Sequence, residues 1–393
     1  MYLPAIWLVV LIVGLPQLSE TVYTPSLPDI SETLRTSESM AEHTLTIYLF
    51  GFAIGSLFWG KLSDSLGRKP CIIAGILVFI VGCLGCYFSN SIEMLMISRC
   101  IQAFGGSIGS VLGQAICRDV FHGPELGKAY SAIGSALSLF PALGPLCGGI
   151  IAQQFGWRNI FIFLIVFAAI LTFFVTTKLP ETHPLASRKQ VSMWGTAKQL
   201  IMDKKVLGFG LIVAACNGIS FSYFAEGSFY LIKGLGLSPS HYGLSFMAIA
   251  LAALLGGLFS KKLHNGHSSK KIMGYGLGIV AFATTIFSSI AVIHHFILAF
   301  SAPALITMTI ISQMMVAFGI CMVVSNGLAL ALMDYKHAIG TASSLFGFFN
   351  YFVISIFTFL MGFLHDGTLL PMPLYFLAIS CFMLMVHRVL LKN

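Results

Sequence analysis

Twelve apolar runs, each long enough to cross a lipid bilayer, constrain the fold of this chain more than any other feature. A membrane-spanning helix needs about 20 mostly apolar residues. Such runs lie at about 5–27, 44–60, 71–89, 93–116, 129–153, 158–177, 206–229, 241–260, 272–293, 302–325, 340–363 and 369–391. Because a helix satisfies its own backbone polar groups in lipid, the sequence predicts an all-α membrane protein with twelve transmembrane helices.

The low charge content supports this fold class. Of the 393 residues, 57% are hydrophobic and only 9% are charged, whereas about 25% of the residues in a soluble domain are charged. The chain therefore has too few charges to cover the two or three soluble domains that its length would otherwise allow. We expect its outer surface to face the lipid bilayer.

Residue patterns that are typical of enzymes are weak. The nine cysteines lie nearly all within apolar runs, which does not indicate a disulfide framework. Cys83 and Cys86 form a C-x-x-C pair, but no His or further Cys accompanies them as a metal or redox partner. The sequence contains no phosphate-binding G-x-x-x-x-G-K-[ST] loop, which argues against an ATP-driven pump. We therefore expect a protein that is not an enzyme and that uses no metal and no cofactor.

The lysines and arginines indicate the orientation of the spans, because cytoplasmic connections are enriched in basic residues. With the N-terminus in the cytoplasm, the inner connections hold 18 of the 22 basic residues. These are Lys61, Arg68, Lys69, Arg118, Lys128, Lys178, Arg188, Lys189, Lys198, Lys204, Lys205, Lys261, Lys262, Lys270, Lys271, Lys336, Arg388 and Lys392. The sequence thus predicts two cytoplasmic termini, and the net charge of +8 reflects topology rather than a nucleic-acid-binding surface.

The spans divide into two sets of six around the longest hydrophilic connection, residues 178–205. We predict a six-helix bundle at 1–177, a cytoplasmic linker at 178–205 and a second six-helix bundle at 206–393. The short basic connections at 60–69 and 261–271 hold equivalent places in the two sets. Repeats of this kind place a substrate site near the membrane midplane, between halves that rock against one another. A channel is the alternative.

The connection between the second and third spans reads G-K-L-S-D-S-L-G-R-K. Gly60 and Gly67 allow close helix approach and a tight turn. Asp64, Arg68 and Lys69 can form an ion-pair network at the cytoplasmic face, which would act as a gate that latches this side in one of two states. The alternative is a simple polar loop whose charges only set the topology.

Five segments resemble motifs of the major facilitator superfamily, in the expected order. Residues 60–70 (G-K-L-S-D-S-L-G-R-K-P) resemble its signature loop, and R-C-I-Q at 99–102 resembles its R-x-x-Q element. G-P-L-C-G-G at 144–149 resembles the G-P-x-x-G-G motif of the drug/proton antiporter branch. G-W-R-N-I-F at 156–161 and P-E-T at 180–182 match two further motifs of that branch.

Within that branch the chain is similar to the Bcr/CflA group, because Y-T-P-S-L-P at 23–28 resembles its Y-x-P-x-x-P opening. At Ser65 the chain departs from the superfamily's signature loop, where Arg is usual. At Thr21 it departs from the pattern of the Bcr/CflA group, which often has Asp there, and Glu20 lies beside Thr21. An acid late in the seventh span of related proteins corresponds to Glu226. The resemblance implies the major facilitator fold, with two pseudo-symmetric six-helix bundles.

Three ionisable residues lie within the predicted spans, namely Glu20, Arg99 and Glu226. Such residues are expensive in lipid and are functional candidates. Because the resemblance implies that spans one and four are neighbours, a Glu20–Arg99 ion pair is expected. Formation of this pair would release a proton, and its loss would bind one. The alternative is a static pair that only locks helix packing. Glu226 is either a proton carrier, an anchor for a cationic substrate or an interfacial residue that reaches solvent.

Polar and aromatic side chains in several spans are candidates for a substrate cavity, since aromatic rings suit bulky apolar or cationic solutes. We predict substrate contacts from Tyr23, Gln102, Asn217, Tyr223, Phe224 and Asn350. Packing against other helices or lipid is the alternative role for the aromatic residues. A second set of residues in span five is predicted to serve close helix packing and consists of Pro141, Gly144, Pro145, Gly148 and Gly149.

These features together predict a proton-coupled secondary transporter of the bacterial inner membrane that exports small amphipathic or drug-like molecules. Its expected partners are the small-molecule substrate, protons and the lipid bilayer, and we expect it to act as a monomer. One alternative is a dedicated exporter or importer of a single metabolite, such as a siderophore, an amino acid or a sugar. A membrane receptor or channel without transport activity is the other.

Overall fold

A computed structural model describes residues 4–121, 123–182, 193–335 and 339–391 of the chain. Within these ranges the chain forms fourteen α-helices and no strand. The helices are α1 (Ile6–Thr21), α2 (Leu27–Thr33), α3 (Glu38–Leu66), α4 (Arg68–Tyr87), α5 (Ile92–Val120), α6 (Gly123–Phe155), α7 (Arg158–Lys178), α8 (Met193–Met202), α9 (Lys204–Ser228), α10 (Pro239–Leu263), α11 (Ser269–Phe296), α12 (Ala302–Ala331), α13 (Ile339–Leu364) and α14 (Pro371–Leu390). Arg188, Lys189, Lys336 and Lys392, used above to orient the spans, lie outside the described residues.

Twelve helical segments in the described part of the chain are long and apolar enough to cross a membrane. Two of them are composite. A 3₁₀ turn at Thr24–Ser26 joins α1 to α2, so the first span covers Ile6–Thr33, and a π-helix at Phe229–Gly234 extends α9. The prediction of an all-α membrane protein with twelve spans is confirmed.

The second span differs most from its predicted bounds of 44–60, because α3 begins at Glu38 and ends at Leu66. The side chain of Ser37 caps its start by accepting a hydrogen bond from the Met40 N–H, which satisfies a backbone donor that the first turn leaves open. Its end is fixed by Gly67, whose φ of 102° suits glycine. Hydropathy detects only the apolar centre of this helix, whereas its capping residues set its ends.

The same pattern of helix packing occurs in both sets of six spans. In each set the first span packs against the fifth (α1 with α6; α9 with α13) and the second against the fourth (α3 with α5; α10 with α12). The third packs against the fourth (α4 with α5; α11 with α12) and also against the sixth (α4 with α7; α11 with α14). This repeated arrangement is the pseudo-symmetry that the sequence predicted for the fold.

The two halves meet along two helix pairs. Helix α3 packs against α13, and α6 packs against α10, so the second span of each half contacts the fifth span of the other. Most buried apolar side chains of the first half form one cluster, and those of the second half form another. The domain bounds of 1–177, 178–205 and 206–393 stay a prediction, since residues 183–192 of the linker lie outside the described residues.

Helix α6 lies between α1 of its own half and α10 of the other half, and its glycines allow this close approach. A Cβ on Gly144 would meet the Thr21 side chain, and one on Gly148 would meet the Val22 carbonyl oxygen. A Cβ on Gly149 would meet the backbone of Pro239 on the other half. Pro141 and Pro145 lie inside the same helix. The three predicted packing glycines therefore line the surfaces through which α6 contacts both neighbours.

Candidate functional site

Polar side chains gather at three levels of the bundle. We call the two ends of the bundle the Arg68 end, where α3 ends and α4 begins, and the Glu42 end, where α3 begins and α9 and α13 end. By the predicted orientation the Arg68 end is cytoplasmic. Between the two ends lies a third group of polar residues around Arg99 of α5.

At the Arg68 end, Arg68 at the start of α4 binds residues near the ends of α3 and α5. Its Nη1 lies 2.7 Å from Oδ1 of Asp64, and its Nε lies 3.0 Å from Oδ2 of Asp119 at the end of α5. Nη1 also donates to the Ser63 hydroxyl. The sequence predicted the pair of Asp64 with Arg68, but Lys69 instead donates from Nζ to the carbonyl of Thr176, 2.8 Å away. Asp119 was missed because it lies distant in sequence.

The start of α4 is capped by Glu181, which follows α7. Its two carboxylate oxygens accept hydrogen bonds from the backbone N–H groups of Arg68, at 2.9 Å, and Lys69, at 3.2 Å. A carboxylate at a helix N-terminus is favoured by the unpaired N–H groups and the helix dipole. The partners of the Arg68 side chain, namely Ser63, Asp64 and Asp119, all belong to the first half. Gly60 lies where a Cβ would be 3.5 Å from the Ser344 hydroxyl of α13, so this residue faces the other half.

Arg99 is fully buried, and its guanidinium lies between two aromatic rings. Its Cζ is 3.8 Å from the ring centroid of Tyr23 and 4.1 Å from that of Tyr48. A cation held against aromatic faces is stabilised by their quadrupoles. Its Nη1 donates to Oε1 of Gln102 at 2.5 Å, while Nε and Nη2 are buried without a hydrogen-bond partner among the described residues. The predicted residues Tyr23 and Gln102 therefore both contact Arg99.

Glu20 lies on α1 and is 1% exposed. The hydroxyl of Tyr351, on α13 of the other half, donates a hydrogen bond of 3.2 Å to its Oε1. Arg99 makes no ion pair within 4.0 Å with any carboxylate among the described residues. The predicted Glu20–Arg99 ion pair is therefore not formed in this structure. The guanidinium is held between two rings instead, and Glu20 is bound from the other half.

A cluster of acidic residues lies at the Glu42 end and includes Glu226. Nδ1 of His365 is 2.8 Å from Oε2 of Glu226 and 3.5 Å from Oε1 of Glu42. Nε2 of the same ring is 2.9 Å from Oε2 of Glu38, whose other oxygen pairs with Lys233. Glu38 and Glu42 belong to α3, and the other three residues belong to the second half. This cluster thus connects the two halves.

The environment of Glu226 excludes one of its predicted roles. It is 1% exposed, so it is not an interfacial residue that reaches bulk water. Burial by itself would lower the pKa of its partner His365, but the hydrogen bond and charge of Glu226 and the charge of Glu38 raise this pKa above its usual value. The carboxylates around His365 thus favour the protonated form of its ring.

Sequence reasoning missed Glu42, Glu38 and His365. Glu42 fell outside the second predicted span, which was drawn from residue 44. Its position could have been found from the helix cap at Ser37, because a helix that starts there places Glu38 and Glu42 four residues apart on one face. His365 follows α13 directly, and nothing in the sequence indicates that it reaches Glu226.

The remaining predicted substrate residues lie on α9 and α13. Phe224 stacks on Phe246 with ring centroids 4.9 Å apart, and Tyr223 packs against the same ring at 5.5 Å. Asn217 and Asn350 are half-buried on neighbouring helices. Oδ1 of Asn350 is buried without a hydrogen-bond partner among the described residues. The structure thus brings Tyr23 and Gln102 together at Arg99, and Tyr223 and Phe224 together at Phe246.

Two helical bundles of repeated packing, with buried charged groups at and near their contact, are typical of membrane transporters. The profile of the Major Facilitator Superfamily matches residues 9–358. The chain belongs to this superfamily, whose members are transporters and not enzymes. It is accordingly a multi-pass membrane protein that moves a small-molecule substrate.

Relatives of known sequence agree with this assignment. An uncharacterized transporter of Rickettsia felis is 34% identical over 97% of this chain and 93% of its own length. A bicyclomycin resistance protein homolog of Haemophilus influenzae is 33% identical over 59% of each chain. Multidrug resistance protein D of Escherichia coli is 27% identical over 64% of each chain. The resemblance to the drug-efflux branch is thereby confirmed.

The fold is also found among solved structures. A bacterial homologue of the human lysosomal transporter Spinster, in an inward-facing and unoccupied conformation, matches with a TM-score of 0.75. The match covers 98% of this chain and 97% of that structure at 15% identity. At this identity the likeness concerns the fold alone.

Proposed function

We propose that this protein is a proton-coupled exporter of small amphipathic or drug-like molecules in the bacterial inner membrane, with both termini cytoplasmic. It would work as a monomer that exchanges substrate for protons. The observation that carries the proposal is Glu20: a fully buried acid without an ion pair, hydrogen-bonded to Tyr351 of the opposite half. The names of the drug-resistance relatives support the substrate class.

Glu20 can couple a proton to the movement of the halves. Its hydrogen bond to Tyr351 crosses from α1 to α13, so a movement that separates these helices removes the donor. A buried carboxylate that loses its donor is costly as an anion, and proton uptake relieves this cost. Proton binding and helix separation therefore favour each other. The prediction that Glu226 also carries a proton stays a prediction, and the proposal rests on Glu20.

The Arg68 end would supply the opposite gate. Arg68 holds α3, α4 and α5 together through Asp64 and Asp119, which makes this end of the first half a rigid unit. Gly67, with a φ of 102°, fixes the path of the chain between α3 and α4, and Gly60 faces Ser344 of the second half. We propose that this unit moves as one piece against the second half when the cytoplasmic side opens.

The substrate would lie between Arg99 and the Phe224–Phe246 stack. Tyr23, Gln102, Asn217, Tyr223, Phe224 and Asn350 supply aromatic faces and uncharged polar groups, which accept bulky solutes without a strict charge requirement. A growth-inhibition panel with chloramphenicol, ethidium and neutral dyes, in cells with and without the gene, tests this. Resistance to several unlike compounds is expected, and no change for any of them would contradict it.

Proton coupling is tested in proteoliposomes that contain a pH-sensitive dye and a compound identified by that panel. Substrate-driven proton flux is expected for the wild type, and Glu20→Gln should abolish it while substrate binding is retained. Glu93→Gln, the same change at an exposed position on α5, is the matched control and should behave as wild type. Unchanged proton flux in Glu20→Gln would reject Glu20 as the carrier.

Transport of one specific metabolite is the second candidate function, and one observation favours an anionic compound. Nε and Nη2 of Arg99 have no partner among the described residues, so they could bind a carboxylate that enters the site. Uptake or efflux of radiolabelled amino acids, organic acids and siderophores separates this candidate from drug export. A single saturable substrate together with no drug resistance would favour it.

A further inference from the structure

We propose that Glu42, Glu226 and His365 form a binding site for a divalent transition-metal ion, with zinc as the ion that fits best. One donor atom from each residue lies within 4.8 Å of the others. Glu42 comes from α3 of the first half, whereas Glu226 lies near the end of α9 and His365 follows α13 of the second half. The proposed site goes beyond proton-coupled export, because a bound ion would regulate transport, whereas the coupling proposed above rests on Glu20.

The carboxylate of Glu42 is a buried polar group that is directed into the cluster. Its side chain is fully buried, and neither carboxylate oxygen has a hydrogen-bond partner among the described residues. Its Oε1 is directed at the imidazole of His365, 3.5 Å from Nδ1. Buried polar groups are nearly always satisfied, and a buried carboxylate without a partner is costly. A metal ion at Nδ1 would give Glu42 the bond that it lacks.

The charges of the cluster do not balance without a cation. Three carboxylates, on Glu38, Glu42 and Glu226, face one lysine and one histidine. Lys233 pairs with Glu38, so Glu42 and Glu226 have only the His365 imidazole to share. Two carboxylates and one imidazole nitrogen at this spacing match the charge and the donor count that a divalent ion requires.

The imidazole is held as metal-binding histidines usually are. Both of its nitrogens face carboxylates, Nδ1 towards Glu226 and Nε2 towards Glu38 at 2.9 Å. A protonated imidazole can donate to both carboxylates, whereas a neutral one carries only one N–H. A metal ion bound at Nδ1 would take the place of the second proton and leave Nε2–H to donate to Glu38. A carboxylate behind a histidine ligand orients the ring and strengthens its metal bond.

The donor set selects among metals. Calcium and magnesium prefer sites made only of oxygen ligands, whereas imidazole nitrogen favours zinc and its first-row neighbours. Three protein ligands leave a position for water, as in many zinc sites with mixed nitrogen and oxygen donors. Zinc is therefore the probe of choice.

An open cavity lies beside the cluster, on its His365 side. A cavity of about 560 Å³ opens at the Glu42 end, and Glu38, Lys233 and His365 are among the residues that line it. An ion could thus reach His365 without the halves separating. Because its ligands come from both halves, a bound ion would hold them together at this end and inhibit transport from that side.

Zinc binding is measured on the purified full-length protein by isothermal titration, without substrate or pH gradient. One zinc ion per chain is expected. Glu42→Gln and His365→Asn should each weaken its affinity at least tenfold, as loss of a ligand does. His295→Asn removes an exposed histidine and serves as control. Equal zinc affinity in all four proteins would overturn the proposal.

Two further measurements separate a loss of zinc binding from misfolding and from a loss of proton coupling. The melting temperature of each variant in a chelator shows whether it folds, and zinc should raise the melting temperature of the wild type but not of Glu42→Gln or His365→Asn. An equal rise in those two variants would also overturn the proposal. Glu20→Gln should still bind zinc as the wild type does, so failure of zinc binding and failure of proton coupling are separate outcomes.

Discussion

The hydroxyl of Tyr351 donates a 3.2 Å hydrogen bond to the carboxylate of Glu20, and these two residues lie 331 positions apart in opposite halves of the bundle. The ring of Tyr351 also stacks on Phe52 of α3, with centroids 4.1 Å apart. The aromatic contact fixes the ring, and the hydroxyl then reaches Glu20. A buried acidic group of the first half thus depends on a donor from the second.

Tyr351→Phe keeps the ring and removes only this donor. A buried carboxylate that loses its partner costs about 1–3 kcal/mol, so contact between the halves is weakened in the state described here. We expect substrate-driven proton flux in proteoliposomes to fall about tenfold, which corresponds to about 1.4 kcal/mol. Tyr275→Phe, at an exposed position on α11, is the control. Wild-type flux in Tyr351→Phe would show that Glu20 does not need this donor.

Arg99→Lys tests the contact of the guanidinium with two rings. A lysine keeps the charge but lacks the planar group that stacks on Tyr23 and Tyr48 and donates to Gln102. Cation–π contacts in desolvated sites are worth about 2 kcal/mol, so we expect a lower melting temperature and impaired transport. Tyr48→Phe retains the ring and should stay close to wild type in thermal unfolding. If Arg99→Lys unfolds at the wild-type temperature, charge alone suffices at this position.

Gly148→Ala tests the close approach of α6 to α1. The added methyl group would overlap the carbonyl oxygen of Val22, and backbone atoms cannot move aside as a flexible side chain can. Overpacking usually costs about 1–3 kcal/mol, and we expect the upper part of this range in thermal unfolding. Gly127→Ala lies on the same helix, where a Cβ meets no atom within 4 Å. Similar melting temperatures for both variants would contradict the proposed packing role.

Arg68→Lys tests the Arg68 end. A single ammonium group cannot reproduce the fork of donors that reaches Asp64, Asp119 and Ser63 at once. We expect the rate of transport to fall several-fold although the charge is kept, because the first half is no longer a rigid unit at this end. Lys61→Arg, at an exposed site on α3, provides the reverse exchange as control. An unchanged rate in Arg68→Lys would leave these residues with a topological role only.

Most of the fold followed from local properties of the sequence. The spans were predictable because insertion of a helix into lipid depends on the hydropathy of that helix alone. The Asp64–Arg68 pair was predictable because its members are four residues apart. Glu42 was missed because hydropathy does not detect the polar first turn of α3, which its Ser37 cap defines.

The sequence by itself determined the number of membrane spans and the apolar surface, and it located three of the buried charges, namely Glu20, Arg99 and Glu226. Only the tertiary structure decided the partners of those charges. It placed Arg99 between Tyr23 and Tyr48 instead of beside Glu20, and it brought His365 to Glu226, 139 positions away. The physical reason is that helix formation is a property of neighbouring residues, whereas the partner of a buried charge depends on how distant helices pack.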